Sequence, residues 1–410
     1  MIAVDRDKLM RLADGLMVAV AVSLPWSTSA TGILLVLWLL ALIPALAWPA
    51  VRGEFTTAAG GLPALLTLLG LLGMAWAVDV SWAERWDGLD SFLKLAVIPL
   101  LFVQFRRSAC GLWVFGGYLA SCLALLVAST LVEFVPPFTA IPMHGDWVLV
   151  KNPATQSGEF ITCVFGLLYL AVEFIERRQW LWLCAALAAV VGLLANVFFI
   201  ATGRTALIVA LVLVIAFAMT RLGTKGRAVL FAATVLAVTV AWVSSPYLRL
   251  RTISAWGDLM RYERTDARTS SGERVEFARM SIAFIRSAPL IGHGTGSIQS
   301  MFRQANLGRT GPIRFASTNP HNQTFAVAIQ LGLLGAVVLW AMWIAHLLLF
   351  RGTGLAAWVG LIVVVQNVVG SLFNSHLFDF VQGWVYVVGV GVAGGMMLRQ
   401  RAAQRPAARP

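Results

Sequence analysis

The amino-acid sequence predicts an all-α polytopic membrane protein with about 12 transmembrane helices and one large, partly helical loop outside the membrane. Three observations support this fold class. Of the 410 residues, 59% are hydrophobic and only 12% are charged, and mean hydropathy is +0.81, which excludes an ordinary soluble enzyme. Apolar runs long enough to cross a hydrocarbon core recur along the chain. Basic residues are dense in some connecting loops and scarce in the alternate ones.

Twelve apolar runs match the roughly 17–25 residues that a helix needs to cross a membrane. They are residues 11–29, 31–48, 61–78, 89–105, 110–135, 158–175, 180–200, 203–220, 227–244, 321–350, 354–373 and 378–398. The dense apolar runs that follow the first one favour an uncleaved first span over a signal peptide. The chain therefore divides into spans one to nine within 1–244, a loop at 245–320, spans ten to twelve within 321–398, and a basic tail at 399–410.

The distribution of lysine and arginine predicts that both termini are cytoplasmic. With this orientation the cytoplasmic segments hold sixteen basic residues, whereas the opposite short loops hold Arg85, Lys151 and Arg204. The asymmetry places residues 245–320 outside. The basic tail that begins at Arg399 is interpreted as a topogenic, lipid-facing end, so membrane lipids are predicted partners and nucleic acid is not.

Cysteine and lysine within the apolar runs need separate interpretation. The four cysteines, Cys110, Cys122, Cys163 and Cys184, all lie within such runs, so the sequence predicts neither a disulfide framework nor a thiolate metal site. Lys94 lies inside the fourth run, where an ammonium group is costly. Two interpretations of Lys94 stay open: it lines an anion site at the outer face, or it extends its amine to the membrane surface.

Arginines mark the predicted outside surface. Arg204 stands in Ala201-Thr202-Gly203-Arg204-Thr205, at an outside turn between two apolar runs; it either binds phosphate or contacts lipid headgroups. Residues 245–320 contain eleven arginines, no lysine and five acidic residues, a net charge of +6. Because the planar guanidinium matches phosphate oxygens, this loop predicts an anionic partner: a phospholipid, a lipid-linked pyrophosphate or a phosphorylated glycolipid.

Two motifs lie within this loop. Ser270-Ser271-Gly272-Glu273 has the S-x-x-E spacing of a capping box and predicts a helix to about Arg286, with Arg274 in its first turn. The glycine-rich segment Gly292-His293-Gly294-Thr295-Gly296-Ser297 follows. We interpret it as a tight turn, and the alternative is that its backbone N–H groups face the substrate.

The stretch Thr318-Asn319-Pro320-His321-Asn322-Gln323 joins the polar loop to a long apolar run. Asn319 is the predicted N-cap and Pro320 the first helical residue, which puts His321 in the opening turn of a helix that reaches about Phe350. The helix dipole disfavours a positive charge there, so the imidazole is predicted to be neutral near pH 7 and able to act as a general base. The alternative is a polar residue that marks the membrane boundary.

Small residues continue the helix face that carries His321. Four residues share this face: Phe325, Ala328, Gly332 and Gly335. The small side chains are expected to let another helix approach closely. In the last outside turn, His376 and Asp379 either face the same cavity or form an interfacial pair.

A neutral histidine with Arg204 and Arg274 from two other outside segments suits transfer from a lipid-linked pyrophosphate. The base takes a proton from an acceptor hydroxyl, and the arginines neutralise the charge that gathers on the departing pyrophosphate. This chemistry can proceed without a metal. The sequence therefore predicts no metal site and no cofactor, and its only D-x-D, Asp5-Arg6-Asp7, is expected to be cytoplasmic.

At these residues the chain resembles the bacterial O-antigen ligase and polymerase superfamily. His321-Asn322, followed by nine residues and Gly332-Leu333-Leu334-Gly335, matches that family's H-[NSQ]-x9-G-x-x-[GTY] pattern. Thr202-Gly203-Arg204-Thr205 resembles its Ser/Gly-Arg-Thr element. Gly272-Glu273-Arg274, followed by Pro289-Leu290-Ile291-Gly292-His293-Gly294, resembles its outside-loop element.

The resemblance implies a glycosyltransferase of the GT-C class in the inner membrane of a Gram-negative bacterium, with the loop and the active site facing the periplasm. Such an enzyme moves O-antigen from undecaprenyl pyrophosphate to a sugar hydroxyl of the lipid A core oligosaccharide, without metal and with inversion. By resemblance, His321 activates the acceptor, and Arg204 and Arg274 bind the pyrophosphate. The remaining candidates for substrate contact or structural support are Asn322, Lys94, Gly332 and Gly335.

Three alternatives stay open. Within the superfamily, an O-antigen polymerase uses another lipid-linked glycan as acceptor, and a protein O-oligosaccharyltransferase uses a Ser or Thr side chain. From a different class, a transporter of a lipid-linked anion would show internal repeats and broken helices near the membrane midplane. In this sequence the polar candidates gather at the outer surface, which favours an enzyme.

Overall fold

A computed structural model describes residues 5–135, 148–250, 252–253, 270–307 and 319–404. These residues form α-helices joined by turns and contain no β-strand. The helices are α1 (Arg6–Ser23), α2 (Thr28–Leu42), α3 (Trp48–Phe55), α4 (Ala58–Gly73), α5 (Trp82–Leu93), α6 (Val97–Arg107), α7 (Gly111–Phe134), α8 (Pro153–Glu176), α9 (Trp180–Phe199), α10 (Arg204–Arg221), α11 (Thr224–Ser244), α12 (Ser270–Ser287), α13 (Ser297–Ala305), α14 (Gln323–Leu349), α15 (Leu355–Gly370) and α16 (Phe380–Gln404).

Among the described residues, ten helices or joined helix pairs have the length and composition to cross a membrane. They include Trp82–Arg107, in which α5 and α6 are joined by a 3-10 turn at Lys94–Ala96. The other two predicted spans correspond to α1, in which five of 18 residues are charged, and to α15, which has 16 residues. The chain is therefore an all-α polytopic membrane protein, as predicted.

The chain folds into two compact units. Unit 1 comprises Met1–Leu46, Ser108–Thr252 and Gly352–Gln366, and unit 2 comprises Ala47–Arg107, Ile253–Arg351 and Asn367–Pro410. Of the predicted site residues, Arg204 belongs to unit 1, whereas Arg274 and His321 belong to unit 2.

Unit 1 packs around aromatic side chains and a buried amide pair. The ring of Phe217 lies 5.3 Å from that of Trp358 and 6.5 Å from that of Phe165. Gln156 and Asn196 are both buried, and the Gln156 Nε2 donates to Asn196 Oδ1 at 2.9 Å. This hydrogen bond satisfies the Gln156 amide nitrogen and the Asn196 amide oxygen, which would be costly to leave unpaired within hydrocarbon.

Unit 2 depends on a close approach of α6 and α16. A Cβ atom added to Gly394 would lie 2.3 Å from Phe102 Cε1, and one added to Gly391 would lie 2.4 Å from Leu101 Cδ1. Larger residues at either glycine would push the two helices apart. Small residues of this kind are a usual means of packing helices within a membrane.

Helix α14 is broken at Gly332, which has φ 63° and ψ −161°. The Leu333 N–H donates to the Pro289 carbonyl at 2.8 Å, and the Leu334 N–H donates to the Leu290 carbonyl at 3.2 Å. A Cβ atom on Gly332 would lie 2.3 Å from the Leu290 carbonyl. The expectation that this glycine admits another helix is therefore wrong: it admits the chain segment that follows α12.

The glycine-rich turn between α12 and α13 is tied to two spans. Its three glycines have φ between 68° and 90°. The N–H groups of residues 293–296 donate to oxygens of Ile329, Gln330 and Gly73 at 2.7–3.0 Å. Since these N–H groups have protein acceptors, the hydrogen bonds support the interpretation as a tight turn. Irregular backbone among membrane spans is tolerated where it is enclosed by protein.

Candidate active site

Helix α14 begins three residues later than predicted, and His321 lies outside it. Asn322 is the N-cap, and its side-chain oxygen accepts from the Phe325 N–H at 3.1 Å. The Asn319 side chain instead closes a short turn by accepting from the His321 N–H at 2.8 Å. The predicted N-cap at Asn319 and the placement of His321 within the first helical turn are therefore wrong. Both asparagines are good caps, and the tertiary contacts of Asn319 decide between them.

The backbone of His321 has φ 55°, in the left-handed region that non-glycine residues rarely adopt. Such a conformation costs about 1–3 kcal/mol and persists only where surrounding contacts impose it. Here Asn319 supplies that constraint, because its Oδ1 also accepts from Ser375 Oγ at 2.7 Å. The backbone geometry is consistent with a side chain held in place for a function.

One nitrogen of the His321 ring faces an amide oxygen. Nδ1 lies 3.2 Å from Asn374 Oδ1, which also accepts from Asn319 Nδ2 at 2.7 Å. Because this oxygen is an acceptor in both contacts, the ring proton belongs on Nδ1. The lone pair of the neutral ring is then on Nε2, the atom that would take a proton from a substrate.

Helix α12 supplies the other contacts of the imidazole. The Phe277 ring stacks on His321 with centroids 5.8 Å apart and an interplanar angle of 19°. Arg274 lies one turn earlier on the same helix face. Burial lowers the pKa of His321 below its usual 6.5, and the positive charge of Arg274 lowers it further. The hydrogen bond to Asn374 and the charge of Glu273 act in the opposite direction.

The predicted neutral state of His321 therefore has a different origin from the one inferred from sequence. Partial burial and Arg274 disfavour the imidazolium, and the residue is not part of a helix turn. The predicted helix around Arg274 is confirmed as α12, Ser270–Ser287. The structure thus brings His321 and Arg274 together within unit 2.

Arg204 is the first residue of α10 in unit 1, so this helix begins within the turn predicted at residues 201–205. Its preceding residue, Gly203, packs tightly: a Cβ atom there would lie 2.2 Å from Ser157 Oγ and 3.1 Å from Ala154 Cα. This contact explains why glycine precedes the arginine. The pairing of Arg204 with His321 stays a prediction.

The loop predicted at 245–320 is partly described. Six of its eleven arginines lie outside the described residues: Arg251, Arg261, Arg264, Arg268, Arg309 and Arg314. Of those described, Arg303 forms an ion pair with Glu84 of α5 at 2.6 Å. This ion pair links α13 to the span formed by α5 and α6.

Lys94 is buried in the 3-10 turn between α5 and α6. Its Nζ donates to the backbone carbonyls of Phe378 at 3.4 Å and Asp379 at 3.2 Å. Lys94 therefore does not extend its amine to the lipid-facing surface, and an anion-binding role stays a prediction.

His376 is also buried, which lowers its pKa to about 4.

The sequence interpretation missed three residues that contact or support His321: Phe277, Asn374 and Ser375. The two polar residues lie near His376 in the turn between α15 and α16, about fifty positions after His321. Their polar side chains stand out between two apolar runs of the sequence. Only the folded chain shows that they contact the segment around His321. Phe277 is an ordinary apolar residue of an amphipathic helix by pattern.

Residues 189–340 match a family model described as O-antigen ligase. No curated protein matches the chain. The matched segment contains Arg204, Arg274, His321 and the glycines at 332 and 335, whereas Lys94, Asn374 and Ser375 lie outside it. Members of this family are glycosyltransferase-like enzymes that act on lipid-linked polysaccharides. Through this segment, which is less than half of the chain, the protein is similar to the O-antigen ligase/polymerase superfamily.

Proposed function

We propose that the protein is an O-antigen ligase. It transfers O-antigen polysaccharide from undecaprenyl pyrophosphate to a sugar hydroxyl of the lipid A core oligosaccharide, on the periplasmic side of the inner membrane of a Gram-negative bacterium. The observation that carries this proposal is the neutral His321, oriented by Asn374 at 3.2 Å and placed beside the guanidinium of Arg274. A base next to a cation is the arrangement that transfer from a pyrophosphate requires.

The proposed reaction is a single displacement. The acceptor hydroxyl oxygen attacks the anomeric carbon of the donor sugar, and its proton passes to His321 Nε2. The bond between that carbon and the pyrophosphate oxygen breaks, and undecaprenyl pyrophosphate leaves with the electron pair. Attack from the face opposite the leaving group inverts the anomeric carbon. No step in this sequence uses a metal ion.

The other site residues have three roles in this mechanism: binding the pyrophosphate, orienting the base and supporting the structure. Arg274 and Arg204 bind the pyrophosphate and compensate the charge that develops on it as it leaves. Asn374 holds the ring proton on Nδ1, so that Nε2 is the base. Asn322 and Gly332 support the site structurally, as helix cap and helix break.

The test is transfer by the purified full-length protein in detergent with EDTA, from undecaprenyl-pyrophosphate glycan to lipid A core. His321→Ala is compared with His321→Asn, because asparagine tolerates the left-handed backbone of this position and lacks a basic nitrogen. Both variants should lose transfer while still binding donor. His293→Asn, in the neighbouring turn, is the matched control and should retain it.

Three outcomes would contradict the proposal. Lengthening of the lipid-linked glycan without transfer to core would indicate a polymerase, and the acceptor assignment would be wrong. Transfer by His321→Asn at the wild-type rate would remove His321 as the base. Loss of activity on adding EDTA would overturn the metal-independent mechanism.

A further inference from the structure

Unit 2 contains a cavity of about 380 Å³ beside the candidate site. Its polar lining includes Asp87, Ser91, Gln299, Asn319, Ser375 and Asp379. Four parts of unit 2 supply these side chains: α5, the start of α13, the segment before α14, and the turn before α16. Asp87 is exposed and Gln299 is half-buried, so solvent reaches the cavity.

The cavity meets the hydrogen-bond network that holds His321. Asn319 and Ser375 both line it, and the Asn319 Oδ1 accepts from the Ser375 Oγ and from the His321 N–H. A molecule that contacts Asn319 is therefore two residues along the chain from the proposed base. This position suits the substrate that donates its proton to His321.

The walls of the cavity are held together by close packing. The Gly296 N–H donates to Gln330 Oε1 at 2.7 Å, and a Cβ atom on Gly88 would lie 2.5 Å from the Gly296 nitrogen. These contacts join α5, the glycine-rich turn and α14 at the cavity wall. The cavity is thus formed by the fold itself, as binding sites for small molecules usually are.

The chemistry of the lining selects for hydroxyl groups. Carboxylates and amide oxygens accept hydrogen bonds from hydroxyls, and the carboxylates of Asp87 and Asp379 would repel a phosphate. None of the described lining residues is a lysine or an arginine. In the described part of the chain, no three His, Cys, Asp or Glu side chains converge as a metal site would require. The acceptors are instead spread along the walls, as the several hydroxyls of a sugar require.

We propose that this cavity is the acceptor subsite, which binds a saccharide through its hydroxyls and makes no phosphate contact. The inference rests on the proposed function. It adds that unit 2 uses a positive side chain for the donor and negative and neutral polar side chains for the acceptor. Arg274 on α12 meets the pyrophosphate of the donor, whereas Asp87, Gln299 and Asp379 meet the hydroxyls of the acceptor. Repulsion between the carboxylates and the pyrophosphate then keeps the donor out of the acceptor position.

The test measures binding of core oligosaccharide released from lipid A, with and without its phosphates, to the full-length protein in the absence of donor. Asp87→Asn and Gln299→Ala should each weaken binding by about tenfold. Asp90→Asn is the matched control, since Asp90 is exposed on the same helix but does not line the cavity. It should bind as the wild type does, and donor affinity should be unchanged in all three variants.

Wild-type affinity in both cavity variants would overturn the inference, as would loss of all binding when the phosphates are removed. A rise in donor KM in the cavity variants would reassign the cavity to the donor. Failure of the proposed function looks different: the wild type would transfer nothing to core. Failure of this inference alone would leave transfer intact and the acceptor KM unchanged in Asp87→Asn and Gln299→Ala.

Discussion

At the scale of single residues, the site depends on side chains that hold His321 in a conformation it would not adopt by itself. The left-handed backbone at φ 55° is maintained by the Asn319 side chain. The ring is fixed between Asn374 Oδ1 on one side and the Phe277 face on the other. The imidazole is thus positioned before substrate arrives, which reduces the reorganisation needed during the reaction.

The pH dependence of turnover tests the influence of Arg274 on His321. A general base works in its deprotonated form, so kcat/KM should fall as the pH drops through the pKa of His321. Burial and Arg274 both lower that pKa from 6.5, so the wild-type midpoint should lie below pH 6.5. Arg274→Ala removes one of these two causes and should move the midpoint to higher pH, in addition to raising the donor KM.

The control for this prediction is Arg279→Ala, which removes an exposed arginine from the same helix. Its pH profile should match that of the wild type. An unchanged midpoint in Arg274→Ala would mean that this guanidinium does not act on the ring. A midpoint that moved equally in both variants would point to the general charge of the loop.

At the scale of structural elements, the break in α14 is what joins the segment between α12 and α13 to the bundle. Gly332 lies about 14 Å along the helix axis from its start, at a rise of ~1.5 Å per residue. The broken helix leaves carbonyl and N–H groups that pair with the chain between Pro289 and Gly294. This pairing holds α12, and with it Phe277 and Arg274, on the same unit as His321.

Gly332→Ala should therefore destabilise the protein and reduce transfer. A side chain at φ 63° is strained, and the added Cβ would lie 2.3 Å from the Leu290 carbonyl. The expected loss is about 2 kcal/mol or more, visible as a lower Tm of the purified protein. Gly116→Ala is the matched control, because a Cβ atom there would meet nothing within 4 Å, and its Tm should be unchanged or slightly higher. Equal Tm values for the two variants would contradict this account of the break.

At the scale of the whole molecule, the apolar pattern was sufficient to predict the membrane spans but not the contacts between distant segments. In the described part of the chain, each of the ten helices that meet the length and composition of a span falls on a predicted run. The cap was misassigned because Asn319 and Asn322 are chemically equivalent, and only Ser375 and Asn374 distinguish them. The function of Gly332 was misjudged because a small residue serves helix packing and positive φ equally well.

The orientation of the whole chain remains a prediction from its basic residues, and it decides where the reaction occurs. In a background without the four native cysteines, Arg286→Cys at the end of α12 and Arg177→Cys at the end of α8 place thiols at two exposed positions. The positive-inside asymmetry predicts that they lie on opposite sides of the membrane. In intact spheroplasts, a membrane-impermeant maleimide should label the first, and should label the second only after permeabilisation.

The reverse pattern would place the site in the cytoplasm. Because α12 carries Phe277, which stacks on His321, labelling at position 286 reports on the side that holds the proposed base. A cytoplasmic base would have no access to a donor and an acceptor at the periplasmic surface, so the proposed ligation would be untenable. Labelling of both thiols in intact spheroplasts would instead contradict the predicted number of crossings between α8 and α12. Labelling of position 286 alone would support a periplasmic location for the predicted loop, where its arginines can meet a lipid-linked pyrophosphate.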